Sequence, residues 1–372
     1  MDLDERYPAL SDLAKRAQQR IPHFVWEYLD SATGNQASAH GSIAALDRIT
    51  LAPRALRKTD PDLSTRMLGM NWDRPYGIAP VGMSGLIWPG AERCLAAAAR
   101  DHRAPFGLST VAAATPEDVG PVAGPSGWFQ LYAPGDEGIR RDMLKRARDA
   151  GFTALILTAD VPVASRRERQ RRARLTNPMK FTPHILAQTA AKPAWALATA
   201  RAGIPRLRTL EPYADTAKAR GATDHIGYLL RTAPDWDYLA VLREEWDGAL
   251  IVKGVLDPED AAQAAGIADA VWVSNHGGRQ FEAAPAPADV LPAIRAAVGP
   301  DVPLIADGGV RSGTDILRLI SRGADFVMLG RAFHHGLAAF GRRGVDHVFH
   351  ILDAGLKADM GQLGIHRPDE VR

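Results

Sequence analysis

The residues best suited to chemistry sit in short clusters, each just beyond an apolar run. Ser274-Asn-His-Gly-Gly-Arg-Gln280 sets His276 beside two glycines, with Arg279 three residues on. Asp160 closes another apolar run, and Arg166 and Arg167 follow it. An imidazole paired with a buried carboxylate gains basicity and a defined tautomer, which suits a general base. Arg167 and Arg279 can each grip a carboxylate through two parallel N–H bonds. Asp307-Gly-Gly-Val-Arg311 and Gly330-Arg331 pair glycines with arginines. Glycine lets backbone N–H groups approach an anion closely and arginine adds charge-assisted bonds, so both segments fit a phosphate. A base and a carboxylate clamp beside a phosphate-bearing ligand point to oxidation or proton abstraction next to a carboxylate.

Such clusters need a scaffold that brings many loop starts together. Eight short strands are expected at 76–79, 105–109, 127–132, 154–158, 249–253, 270–274, 303–306 and 325–329. Each is apolar on both faces, as buried parallel strands are. Helical patterns alternate with them, among them 136–150, 258–265, 288–298 and 312–322. This is the pattern of an α/β fold, a (β/α)8 TIM barrel spanning 1–372 as one domain. Active-site groups of such barrels come from the C-terminal strand ends, where every cluster above falls, and phosphate sites recur after strands seven and eight. An open doubly wound sheet would want a glycine fingerprint after an early strand, and none is found. Two helices are expected ahead of the barrel, at 10–19 and 22–29, the second with Pro22 in its first turn. A long insertion after the fourth strand, about 169–246, interrupts the alternation. It holds Pro193-Ala-Trp-Ala-Leu-Ala-Thr-Ala200 between Lys192 and Arg201, and reads either as a mobile lid or as an apolar, basic surface resting on a membrane.

Composition narrows the classes. A net charge of +2 over 372 residues argues against nucleic acid as partner. One cysteine, Cys94, leaves no internal disulfide and no cysteine metal cluster, and reads as a packed helix residue in a reducing cytoplasm. The acidic start shows no secretory signal, and no long uncharged apolar run is present to span a membrane. No metal site is expected.

The heptapeptide around His276 resembles the signature of the FMN-dependent 2-hydroxy acid oxidising family, which includes glycolate oxidase, lactate oxidase and bacterial lactate and mandelate dehydrogenases. Supporting segments run through nearly the whole chain: Glu27-Tyr28, Ile78-Ala-Pro-Val-Gly-Met83, Leu108-Ser-Thr110, Phe129-Gln-Leu-Tyr132, Leu157-Thr-Ala-Asp160, Arg166-Arg-Glu168, Val252-Lys-Gly254 and Asp307-Gly-Gly-Val-Arg311. The resemblance implies FMN as cofactor and an L-2-hydroxy acid as substrate. It makes His276 the base, stabilised as imidazolium by Asp160. Arg167, Arg279 and Tyr28 would bind the substrate carboxylate, and Tyr132 the hydroxyl or developing oxo group. Lys253 would stabilise negative charge on the reduced flavin. Ser109, Gln130, Thr158 and Ser274 would lie at the flavin ring, with Ala79, Pro80, Val81 and Gly82 against its other face. Asp307 would meet the ribityl chain, and Gly308, Gly309, Arg311, Gly330 and Arg331 the phosphate. Homo-oligomers, often tetramers, are the family's habit.

Two positions depart from the glycolate oxidase pattern. Val111 stands where those enzymes carry an aromatic residue, which leaves room for lactate or a bulkier acid. Gly82 stands where an alanine is common in oxidases. With Leu86-Ile-Trp-Pro-Gly90, the insertion and Asp224-His-Ile-Gly-Tyr228, these features resemble bacterial lactate and mandelate dehydrogenases. The expected enzyme is therefore a dehydrogenase passing electrons to a quinone or another acceptor, in the cytoplasm or peripherally on the membrane's cytoplasmic face. The alternatives are a soluble oxidase that reduces O2 to H2O2 and a non-catalytic FMN-binding protein. The chain shows no haem domain ahead of the barrel, and whether the carbanion or hydride route operates stays open.

Overall fold

The computed structural model describes residues 2–175, 182–213 and 232–372. Eight parallel strands close into a barrel: β3 (Tyr76–Ile78), β4 (Phe106–Ser109), β5 (Gly127–Tyr132), β6 (Ala154–Thr158), β7 (Ala249–Val255), β8 (Ala270–Val273), β9 (Leu304–Ala306) and β10 (Phe326–Leu329). They neighbour one another in chain order, and β10 returns to pair with β3. Each expected strand is found, displaced by two residues at most. The cause is burial: except at the ends of β5 and β7 and at Gly254, every strand residue is buried, so apolar runs and strands coincide. The lumen is filled by Trp128, Trp272, Phe326, Ile156, Ile251, Ile305 and Met328. A larger apolar shell joins the outer strand faces to the helices.

Ahead of the barrel come α1 (Leu3–Arg6), α2 (Leu10–Arg20), α3 (His23–Asp30) and α4 (Ala37–Asp47). Pro22 is the N-cap of α3 and lies just outside its first turn. The antiparallel hairpin β1 (Thr65–Met67) and β2 (Met70–Trp72) contributes Met67 and Trp72 to the lumen cluster. Neither α4 nor this hairpin is foreseen from sequence. Within the insertion, helices Glu168–Arg172, Pro183–Ala190 and Pro193–Ala202 are described, and the segment 224–228 lies outside the described residues. Helix Trp236–Glu245 sends Leu239 and Leu242 into the main core, so the barrel resumes before residue 246, the expected end of the insertion. Trp195 is buried, not displayed: its ring meets Phe24 edge-on and its indole N–H faces the Leu86 and Ile87 carbonyls. Cys94 lies on helix Ala91–Asp101, partly buried against the core.

Candidate active site

A cavity of about 790 Å³ opens at the C-terminal ends of the strands. It is lined by Tyr28, Val111, Tyr132, Arg167, His276 and Arg279, together with Gly308, Gly309, Arg311, Gly330 and Arg331. The strand-end clusters read from sequence thus converge on one space.

His276 follows β8 in a left-handed backbone conformation (φ 56°), and Gly277 and Gly278 continue it. A non-glycine residue there costs roughly 1–3 kcal/mol and persists only when its surroundings hold it. They do: the His276 backbone N–H donates to Ser274 Oγ at 3.0 Å, and Asn275 Nδ2 donates to Ser38 and Ser42 of α4. His276 Nδ1 stands 3.0 Å from Asp160 Oδ1. A proton on Nδ1 facing the carboxylate leaves Nε2 as the basic nitrogen. Burial lowers the proton affinity of His276, and Lys253 and Arg167 lower it further. Together they outweigh Asp160, so the ring is neutral near pH 7, as a base must be. Burial pushes the Asp160 carboxyl up, but His276 and Lys253 outweigh it and keep the group ionised.

Gly254 explains how Asp160 reaches this place. A bulge between Lys253 and Val255 gives Gly254 a φ of 103°, and a Cβ on it would lie 2.5 Å from the Asp160 side chain. Only glycine lets β6 and β7 carry the aspartate and the lysine side by side. Lys253 Nζ donates to Ser274 Oγ at 2.9 Å and sits 3.5 Å from Asp307 Oδ2. Burial alone would lower its affinity for protons. Asp307, Asp160 and Tyr132 reverse this, and the ammonium stays charged.

Ser109, Gln130 and Thr158, from β4, β5 and β6, form a chain: Ser109 Oγ donates to Gln130 Oε1 at 2.8 Å, and Gln130 Nε2 to Thr158 Oγ1 at 2.9 Å. Opposite, Tyr28 on α3 donates its hydroxyl to the Gly82 carbonyl at 2.7 Å. A side chain on Gly82 would meet Val111 at 2.5 Å, so these two positions share one space.

Arg279 Nη1 donates to the carbonyls of Tyr28, Leu29 and Ser31, at the C-terminus of α3. Arg331 reaches the same place, donating to the carbonyls of Leu29, Ser31 and Gly277. Helix C-termini carry partial negative charge, so cations gather there. Burial, then Arg167 and Arg331, hold Arg279 well below the ordinary arginine value. Arg167 donates to Ser165 Oγ, whose hydroxyl donates to the Arg279 carbonyl. Arg311 is different: it is half-exposed and pairs with Asp47 and Asp315.

Sequence reading missed four contributors. Arg169 joins the insertion to α3 through Glu27 and Asp30. Ser38 and Ser42 fix the loop of His276. Trp272 lies two residues before Ser274, so it shares that residue's inward face, a signal present in the strand pattern.

The model of the family described as FMN-dependent dehydrogenase matches residues 17–372. The chain belongs to that family. It is 38% identical over 361 residues to L-lactate dehydrogenase of Caulobacter vibrioides, covering 95% of this chain and 94% of that one. An L-lactate dehydrogenase of Xanthomonas campestris pv. campestris is 36% identical over 369 residues, with 98% and 95% covered. Among solved structures, the monotopic membrane protein (S)-mandelate dehydrogenase superposes with a TM-score of 0.91 at 32% identity, covering 98% of this chain and 97% of the other. A mandelate oxidase gives 0.82 at 30%, with 98% of both chains covered. As a family member the enzyme is FMN-dependent, and its cavity suits the group. Asp307 Oδ1 and Asp160 Oδ2 are buried without a hydrogen-bond partner among the described residues, and glycines and arginines are among the residues that line the cavity.

Proposed function

We propose that this enzyme oxidises an L-2-hydroxy acid, lactate, mandelate or a similar acid, to the 2-oxo acid and passes the electrons to a quinone or another acceptor. The observation that carries the reading is the partly buried pairing of His276 with Asp160 beside Arg279, whose acceptors are neutral carbonyls. Arg279 and Arg167 bind the substrate carboxylate, and Tyr28 lines the same cavity. Tyr132 holds the hydroxyl oxygen. His276 Nε2 takes the proton, and Asp160 stabilises the resulting imidazolium. Bound FMN supplies the two-electron acceptor. Gln130 and Thr158, backed by Ser109 and Ser274, would hold its ring, with residues 79–82 against the other face. Lys253 offers positive charge where reduction places negative charge. Asp307, whose Oδ1 has no hydrogen-bond partner among the described residues, would meet the ribityl chain. Gly308, Gly309, Arg311, Gly330 and Arg331 would hold the phosphate.

Anaerobic mixing with a panel of L-2-hydroxy acids tests the reaction: bleaching of the flavin is expected, and no bleaching by any of them would reject it. Oxygen uptake against dye reduction tests the acceptor. H2O2 formed as fast as substrate is consumed would favour the oxidase reading. Val111, beside Gly82, makes room for side chains larger than methyl, and kcat/KM for mandelate against lactate measures that.

Among the described residues no helix is long and apolar enough to cross a membrane. Exposed Leu186, Leu197 and Ile204 in the insertion, with Arg201 nearby, support peripheral contact with a membrane surface. Sedimentation with anionic vesicles is the check, and its loss in Leu186→Ser/Leu197→Ser the expected result.

A further inference from the structure

Trp272 is fully buried in the lumen, directly beneath the polar floor of the cavity. Its Nε1–H donates to Asp307 Oδ2 at 3.1 Å. The face of the same ring lies 5.2 Å from Lys253 Nζ. One side chain therefore touches both members of the Lys253–Asp307 pair, which are 3.5 Å apart. Lys253 also donates to Ser274, whose oxygen accepts the His276 backbone N–H.

We infer that Trp272 is a positioning residue that keeps Lys253 and Asp307 from collapsing onto each other, so that the lysine's charge projects into the cavity. Coulomb attraction between two buried charges strengthens steeply as they close, because little solvent screens them. An N–H bond to Oδ2 spreads the carboxylate's charge and occupies the lone pair that would otherwise draw the ammonium in. The ring face attracts the ammonium from below, a cation–π contact strongest where water is excluded. A buried indole N–H is costly without an acceptor, and Asp307 supplies it. The remaining Asp307 oxygen is buried without a hydrogen-bond partner among the described residues, on a residue that lines the cavity.

The inference rests on FMN occupying this cavity. Two-electron reduction puts negative charge on the bound flavin, and a lysine less neutralised by aspartate stabilises that state more. In Trp272→Phe the N–H is gone, Asp307 turns to Lys253, and the reduced form loses stabilisation. The expected shift is about tenfold in the reduced-to-oxidised ratio, a midpoint potential lower by about 30 mV for a two-electron couple. Trp128→Phe, a loss of equal size in the same lumen, is expected to leave the potential unchanged. An unchanged potential in Trp272→Phe, or an equal fall in Trp128→Phe, overturns the inference. Should Trp272→Phe not fold, replacing Trp272 by its benzothienyl isostere, sulfur in place of N–H, keeps the shape. The same fall is expected there, and a wild-type potential overturns the inference. A wild-type protein that binds no flavin would sink the FMN reading itself, a result distinct from either.

Discussion

The cavity's arginines are held in two opposite ways. Arg279 and Arg331 donate their hydrogen bonds to backbone carbonyls near the C-terminus of α3 and at Gly277, and Asp30 and Asp307 act on Arg331 only through the field. Arg311 already faces two carboxylates, Asp47 and Asp315, which outweigh burial and raise its proton affinity. A largely buried cation whose hydrogen bonds go to neutral carbonyls gains much from an incoming anion, whereas a half-exposed cation paired with two counter-ions gains little. Arg279 and Arg331 are electrostatically primed, whereas the charge of Arg311 is already largely answered by Asp47 and Asp315.

The contrast can be broken or sharpened by mutation. The largest effect belongs to the base: His276→Gln should keep FMN yet slow flavin reduction about 10^4-fold, measured by anaerobic stopped flow. Normal reduction would remove the histidine from the chemistry. Next, Arg279→Ala should lower kcat/KM by about 10^3, since it removes a charge-assisted grip on the substrate, while FMN stays bound. Arg311→Gln should weaken FMN binding by about tenfold, because Asp47 and Asp315 already share its charge. A loss there as large as that in Arg331→Gln would break the contrast. Smaller still is a pH effect. With the His276 ring held below the ordinary histidine value, kcat/KM should fall on acidification only below about pH 6.5. Asp160→Asn, which removes a contribution that raises this ring, should move the acid limb to lower pH as well as slow the reaction.

The mildest expectation concerns stability. His334 is fully buried, bonded to the Gly330 carbonyl and to Ser84, and burial lowers its pKa to about 4. The unfolded chain then binds the proton more readily. The contribution to stability is complete above about pH 6.5 and fades as pH falls toward 4, by at most about 3 kcal/mol. His334→Gln should flatten that part of a pH series of thermal melts. An unchanged slope would count against it.

Much of this was legible in the chain because barrel strands are buried on both faces and chemistry gathers at their ends. The strands and the strand-end residues follow from that one pattern. What escaped lacks a local signal. Helix α4 has Gly41 in its interior and begins from Gln36 in a left-handed conformation without a side-chain cap. Its place is fixed by Asn275 and by Gly278, on which it packs closely. Strands β1 and β2 are three residues each, too short for a period to show. Trp195 sits in an apolar run that reads as surface, yet Phe24, 171 positions earlier, buries it. Arg169 looks like one more charge in a basic stretch until Glu27 and Asp30 meet it.

Leu29 and Ser31 each lend one carbonyl oxygen to two guanidiniums, one bound for the substrate and one for the phosphate. Whatever neutralises the first alters how firmly the second is held, and the influence runs equally in both directions.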